Sequence, residues 1–528
     1  MAAENRTTAR SGKGRIVMLV DNGVNGDSRV QKEARSAAEA GWDVVLLGRA
    51  RSKKEQDQTW TLGDARVRLL SVPGPLFRRR HEYRRAPLRS PLAYRPGPLA
   101  AYRKQKVKAW RADLNIRLII AQREGSALGR LRLMPPRLFS RLLQSWVNLR
   151  HRKTQQLEKR RKDMDSALDR FTTAFWRRTM GVRAWRRLDP HLWDFELAYG
   201  KVIDELKPDL IHANDFRMLG VGARAALRAR ARGRDVKLVW DAHEFLPGIK
   251  PWSPHPRWHV AQCAHESEYA RFADAVVTVS DTLAGMLQER HGLAERPAVV
   301  LNAPDGEISP EQAAEPVPDL RELCGIGDGV PLAVYSGSAA PQRGLDIMVE
   351  SLPRVPEVHT AFVVLNTESD YMKTLRARAE ELGVSDRLHI LPYVPHYQVA
   401  RFLSTADVGV IPIHHWPNHE IALITKFFEY SHARLPLVVS DVKTMGAMVQ
   451  QTGQGEVFRA EDLEDYARAL KSVLGDAERY RAAYDAPGLL DTWTWEAQAE
   501  RLDEVYSQLL SDSGARSGAG RREAGTGA

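Results

Sequence analysis

At 528 residues the chain is too long for one ordinary hydrophobic core and calls for two domains with additions. Hydrophobic residues at 43% and aromatic residues at 8% are ordinary for a globular protein, and two cysteines, Cys263 and Cys324, exclude a disulfide framework or a zinc site and fit a reducing, cytoplasmic setting. The net charge of +12 is unevenly placed: residues 71–190 hold 31 Lys and Arg against 8 Asp and Glu, so that region carries +23 and the rest of the chain −11. No apolar run approaches the roughly 18 residues of a membrane span, and the polar start MAAENRTTARSGKG lacks the apolar core of a signal peptide.

After an expected disordered N-terminus over 1–14, RIVMLV at 15–20 reads as a buried strand. It runs into a Gly-containing turn and then a helix, DNGVNGDSRVQKEA. Gly23 and Gly26 suit either a tight turn or close approach of backbone to a ligand. There is no G-x-G-x-x-G, so nothing here specifies a dinucleotide cofactor. DVVLLG at 43–48 and VRLLSV at 67–72 are the next strands.

From 75 to 190 the αβ alternation breaks, and Arg and Lys mix with Trp, Phe and Leu at near-helical spacing, as in RRRHEYRR and FWRRTMGVRAWRRL. Three readings stand: a solvated helical insertion, a surface for anionic lipid headgroups, and a nucleic-acid site, the last without any recognisable module.

Alternation returns with DLIHAND at 209–215, VKLVWDAHE at 236–244, AVVTVS at 275–280 and AVVLNAPD at 298–305. Strands apolar throughout and separated by helices indicate a parallel sheet covered on both faces, whose ligands bind outside the carboxyl ends of the strands. His212, Asn214, Asp215, Asp241 and His243 fall at two such ends. The N-terminal domain therefore spans 15–305, with 75–190 inserted into it. An acidic, Pro-containing linker over 306–330 leads to a second αβ domain over 331–510, and the tail 511–528 has the composition of disorder. In the second domain PLAVYSG at 331–337 is followed by a loop, SAAPQRG, that opens a helix. AFVVLN, LHILPYV and VGVIPI continue the pattern.

Residues 418–439, NHEIALITKFFEYSHARLPLVV, read as a polar loop, an amphipathic helix and a short buried strand. Asn418, Glu420 and Lys426 gather near the helix start and Glu429 lies one turn on, which suits a ligand carrying hydroxyls and phosphates. The stretch resembles the donor-site segment of retaining glycosyltransferases of family 4, a GT-B family. The resemblance implies an α/β GT-B fold: two Rossmann-like doubly wound domains facing a cleft, here with a basic helical insertion in the N-terminal one. It assigns Glu429 to the nucleotide ribose. The family's first glutamate falls on Ile421, so Glu420, one residue out of register, stands in for the sugar-binding carboxylate. Ile424 replaces the usual proline and Arg434 the usual glycine.

Further roles follow from the same resemblance. D-A-H-E-x-x-P places His243 against the donor sugar. Gly337 and Arg343 match the phosphate-binding loop, with Ser338 where a second cation is common, and Lys426 joins Arg343 at the pyrophosphate. Tyr393 and Val394 pack on the base. D-S-R-V-x-K-E-A puts Asp27 and Arg29 beside the cleft, which Gly23, Asn214 and Asp215 also line.

The expected activity is transfer of a sugar from a nucleotide diphosphate sugar to an acceptor hydroxyl, with retention. A glycan or lipid-linked acceptor from polysaccharide or cell-envelope synthesis and a cytoplasmic enzyme, peripheral on the inner membrane face through 75–190, complete the expectation. No cofactor and no obligatory metal is expected, because no Asp-x-Asp pair is placed to hold one. Two alternatives remain: a catalytically silent nucleotide-sugar-binding or membrane-scaffolding protein, and a nucleotide-sugar epimerase.

Overall fold

The structure is a computed structural model that describes residues 12–523, apart from 53, 73–90, 95–97, 163–164, 166, 250–255 and 307. Most of the expected disordered N-terminus, the run RRRHEYRR and residues 524–528 lie outside the described residues. Two compact units are present; one holds both β-sheets, the other residues 72–198 and 250–265.

The first sheet has eight strands: β1 Arg15–Leu19, β2 Asp43–Arg49, β3 Thr59–Leu62, β4 Ala65–Leu70, β5 Leu210–Asn214, β6 Lys237–Ala242, β7 Ala275–Thr278 and β8 Ala298–Val299, in the order β3-β4-β2-β1-β5-β6-β7-β8. All pairs are parallel except β3 with β4. The central strands β1 and β5 are covered on both faces and are buried without alternation, β5 carrying His212 and Asn214 among its apolar residues. β3 is an edge hairpin strand, Thr-Trp-Thr-Leu, that alternates exposed and half-buried residues, and at four residues it is too short to stand out in the sequence.

The second sheet is parallel throughout: β9 Leu332–Ser336, β10 His359–Val364, β11 Leu388–Pro392, β12 Val408–Ile411, β13 Leu437–Ser440 and β14 Gly455–Phe458, in the order β11-β10-β9-β12-β13-β14. A separate buried cluster covers each of its faces, one around Phe362 and Tyr466, the other around Phe427, Phe428 and Trp493. β14 is the strand that sequence reading missed, because GEVF carries a glycine and a charge. Gly455 is required there, since a Cβ would meet Leu437 O at 2.1 Å.

The closing helix, Trp495–Glu523, returns to the first sheet. Trp495, Leu502 and Tyr506 lie on one helical face and join the cluster of β1 and β2, and Trp42 Nε1 donates to Asp503 at 2.6 Å. The helix runs on to Glu523, past the point at 511 where composition predicts disorder.

The other unit is helical. Its largest feature is a hairpin of Leu99–Arg123 and Ala127–Lys162. Ala100, Val107, Leu114 and Ala121 are buried at seven-residue spacing against a seam that includes Ser140, Val147 and Thr154, the signature of an antiparallel two-helix coiled coil. Among the described residues no helix is long and apolar enough to cross a membrane.

Candidate functional site

The carboxyl ends of β5 and β6 place a charged cluster. β6 ends at Asp241, and the chain turns so that His243 Nε2 lies 2.9 Å from Asp241 Oδ2 while His243 Nδ1 faces Asp215 Oδ1 at 3.6 Å. Asp215 opens the helix Asp215–Arg230 with φ +60°, a left-handed conformation that a non-glycine residue rarely holds without a constraint from its surroundings. Burial opposes a charged imidazole at His243, and Asp241 and Asp215 overcome it, lifting His243 to about 10. Burial likewise raises Asp215 to about 7. The pair His243–Asp241 is thus an imidazolium beside a carboxylate.

Beneath this pair lies a buried network. Arg29 donates to both oxygens of Asp241, from Nε at 2.9 Å and Nη2 at 3.1 Å, and to Val300 O at 2.8 Å. Burial works against the charge on Asp241, yet Arg29 and His243 hold it well below the usual carboxylate range. Glu33, fully buried, is pushed up by burial and by Asp241, so it is the neutral member of the carboxyl pair. His212 completes the layer with Nε2 3.5 Å from Glu33 and Nδ1 2.7 Å from the Tyr506 hydroxyl. Glu33, His212 and Asp241 stand close enough to share a metal ion. They do not fit one: Arg29 Nε is 3.0 Å from Glu33 and 2.9 Å from Asp241, so the protein's own guanidinium fills the cation position.

The second sheet supplies the opposite wall. Gly337 follows β9 with φ +119°, and a Cβ there would meet Lys426 Nζ at 3.1 Å. Lys426 is buried in the first turn of the helix Thr425–His432, donates to the Tyr335 hydroxyl at 3.0 Å and lies over that ring at 4.3 Å. Burial, then Arg343, press Lys426 down to about 7, with Glu429 acting the other way. Glu429 is raised by burial, and Lys426 and Lys32 oppose that shift. Burial raises the Tyr393 phenol, and Glu429 adds to it. Lys426, Glu429, Arg343 and Tyr393 therefore share one electrostatic neighbourhood at the strand ends. Gly344, after Arg343, has φ +68°, and a Cβ there would meet Pro412 O at 2.0 Å, which fixes the loop that carries Arg343.

The two walls meet. Phe245 N donates to Asn418 Oδ1 at 2.9 Å and Asn302 Nδ2 to Thr425 Oγ1 at 3.1 Å. Arg343 acts on Glu244, beside His243, and Glu429 acts on Lys32 of the first helix.

Several residues singled out from the sequence stand elsewhere. Asp27 caps the helix Ser28–Glu39, accepting from Val30 N, and Arg29 lies under the site. Gly23 has no left-handed φ; Val24 at +66° and Gly26 at +87° make the turn. Asn214 is fully buried and donates to Leu19 O at 3.2 Å, and Val394 packs on the second sheet's core. Asn418 ties the walls together through its oxygen. Glu420 accepts from Lys443 N at 2.8 Å with one carboxylate oxygen and lies 2.6 Å from His415 Nδ1 with the other, so it anchors the helix Lys443–Thr452. Ile421 is buried.

Sequence reasoning passed over Lys32, Glu33, Tyr335 and Tyr506. Lys32 sits in the quoted D-S-R-V-x-K-E-A pattern, which was its available signal. Burial lowers it to about 8, and it donates to Ala303 O. Tyr506 carried no signal, since its partner His212 is 294 residues away.

With this geometry in hand, comparison with known proteins is direct. Residues 318–486 match the model of glycosyl transferases group 1, and residues 158–305 that of glycosyltransferase family 4. A D-inositol 3-phosphate glycosyltransferase of Nocardia farcinica is 26% identical over 332 residues, 59% of this chain and 69% of the relative. Sucrose-phosphate synthase from Thermosynechococcus elongatus superposes with a TM-score of 0.59 at 16% identity, covering 94% of this chain and 100% of that one. Anabaena HepE in complex with UDP-glucose gives 0.55 at 16% identity, with the same coverage. Likeness at that identity speaks for the fold, and the fold is GT-B, as the sequence resemblance implied.

Proposed function

We propose, from the premise that this chain belongs to the group 1 glycosyl transferases, that it moves a sugar from a nucleotide diphosphate sugar to an acceptor hydroxyl with retention at the anomeric carbon. The observation that carries the reading is the buried Lys426, which donates to the Tyr335 hydroxyl at 3.0 Å beside Gly337 and shares its surroundings with Arg343 and Glu429. As the bond from the anomeric carbon to the diphosphate breaks, negative charge grows on the leaving phosphate and positive charge on the sugar. Lys426, Arg343 and the backbone N–H groups of the Gly337 loop meet the first charge, the kind of preorganised electrostatic contribution that dominates many enzymes. Glu429 accepts from the ribose hydroxyls, and Tyr393 lies against the base. His243, with Nε2 held by Asp241 and Nδ1 facing Asp215, stands beside the donor sugar in this reading. Glu244, which both His243 and Arg343 face, takes the sugar-contacting part expected of Glu420.

The acceptor we place among glycans or lipid-linked intermediates of envelope polysaccharide synthesis, on the strength of the basic insertion. We place the reaction in the cytoplasm, where cysteines outside any disulfide, as Cys263 and Cys324 are, stay reduced.

Thermal stabilisation by a panel of UDP, GDP, ADP and CMP sugars tests the donor site, because binding to the folded state raises the melting temperature. One nucleotide is expected to shift it, and Glu429→Ala and Arg343→Ala to remove the shift. A panel without effect on the folded protein sinks the proposal.

A further inference from the structure

We infer that the helical hairpin 99–162 is a docking surface for an anionic lipid membrane. The observations are its exposure and its charge. Leu128, Leu131, Leu138, Leu142, Trp146 and Leu149 of the second hairpin helix are between 41 and 69% exposed. At the 100° turn of an α-helix they fall in one stripe about 80° wide, on the side away from the seam that Ser140, Val147 and Thr154 make with the first helix. Near the hairpin's turn, Ile116, Ile119 and Ile120 of the first helix are about half exposed as well. Exposed apolar runs of this extent mark an interaction surface.

Charge decides the occupant. Residues 99–150 carry twelve lysines and arginines and two acidic residues. Helical position puts Arg130 and Arg141 on one flank of the stripe and Arg132 on the other, and all three are exposed. A second copy of the chain would set these cations against each other. An anionic lipid surface accepts both parts at once: leucines and Trp146 enter the headgroup–acyl boundary while arginines reach the phosphates from either side. The surface stands independently of the transfer chemistry, since none of these residues belongs to the donor site.

The test is flotation of the full chain with phosphatidylcholine vesicles prepared with and without phosphatidylglycerol. Binding is expected only with phosphatidylglycerol and weakens as salt rises. The variant Leu131→Glu, Leu138→Glu, Leu142→Glu abolishes it, and Arg130→Gln, Arg132→Gln, Arg141→Gln weakens it roughly a hundredfold. Both variants alter exposed side chains and keep the wild-type melting temperature, which shows that they fold whatever the donor assay gives. Absence of vesicle binding by the folded wild type overturns the inference, as does equal binding to both vesicle types. It is also overturned if the leucine variant binds vesicles like wild type while dissociating a dimer seen by light scattering, because the stripe then serves a second copy.

Discussion

Burial and Arg343 press Lys426 down to about 7, so near neutral pH the unliganded protein holds that proton far less firmly than an ordinary lysine does. A diphosphate strengthens that hold. Donor binding above pH 7 therefore takes up a proton, and affinity falls as pH rises from 7. Calorimetry in two buffers of different ionisation enthalpy reads the uptake directly, and equal heats in both would contradict it. His243 has the opposite sign. Its folded value of about 10 lies above the ordinary 6.5, so the stability it contributes is complete below 6.5 and is lost as pH rises towards 10. The melting-temperature gap between wild type and His243→Gln should narrow across that window. Under these groups, Arg29 has one charged partner, Asp241, and one neutral neighbour, Glu33. Glu33→Gln alone is then nearly neutral, while in Asp241→Asn the glutamate ionises and takes over the guanidinium. Only the double substitution leaves Arg29 without an anion. It should cost about 3–5 kcal/mol more than the two single changes together, in a urea-unfolding cycle.

Single elements hold the two walls in place through backbone geometry. The helix Thr425–His432 ends with Arg434 at φ +56°, and Leu435 N bonds back to Tyr430 O at 3.0 Å, a Schellman closure. That is why the family's glycine belongs at this position, and Arg434 holds it at a cost. Arg434→Gly should stabilise the protein by about 1 kcal/mol, since the exposed ion pair it loses to Asp485 is worth less than the strain relieved. Ile424 precedes the helix at φ −86° and ψ 152°, a conformation proline also adopts, so that departure from the family pattern costs little. Gly344 is the reverse case. An alanine there meets Pro412 O and a left-handed φ together, and Gly344→Ala should lose roughly 2–4 kcal/mol and the donor-induced thermal shift with it.

Across the whole chain, the closing helix links the sheets. It leaves the second sheet's surroundings after Trp493, packs Trp495, Leu502 and Tyr506 on the first sheet, and sets the Tyr506 hydroxyl on His212. Truncation after Thr494 should strip hydrogen-exchange protection from β1 and β2 while leaving β9 and β10 protected. Uniform loss across both sheets would show instead that they unfold as one cooperative unit.

Much of this was legible in residue order. Buried parallel strands announce themselves as continuous apolar runs, which located β1, β2, β5, β6, β9, β10 and β12, and helix-start chemistry located Arg343, Lys426 and Glu429, because each lies within a few residues of the element that presents it. The missed strands β3 and β14 are four residues each, and β14 also carries a glycine and a charge, so both take their state from neighbours rather than from their own pattern. The sequence by itself determined two parallel sheets, a basic helical insertion and the charged residues Arg343, Lys426 and Glu429 at the second sheet's strand ends. Only the tertiary structure decided which charges meet: that Arg29 is the buried counter-ion of Asp241, that Glu420 anchors a helix, that Lys32 faces Glu429 and that Tyr506 supports His212. Apart from Glu420, whose partners Lys443 and His415 are 23 and 5 residues away, these partners are hundreds of residues apart or on opposite walls, and burial sets their protonation, a property that belongs to the packed chain and to no local stretch of it.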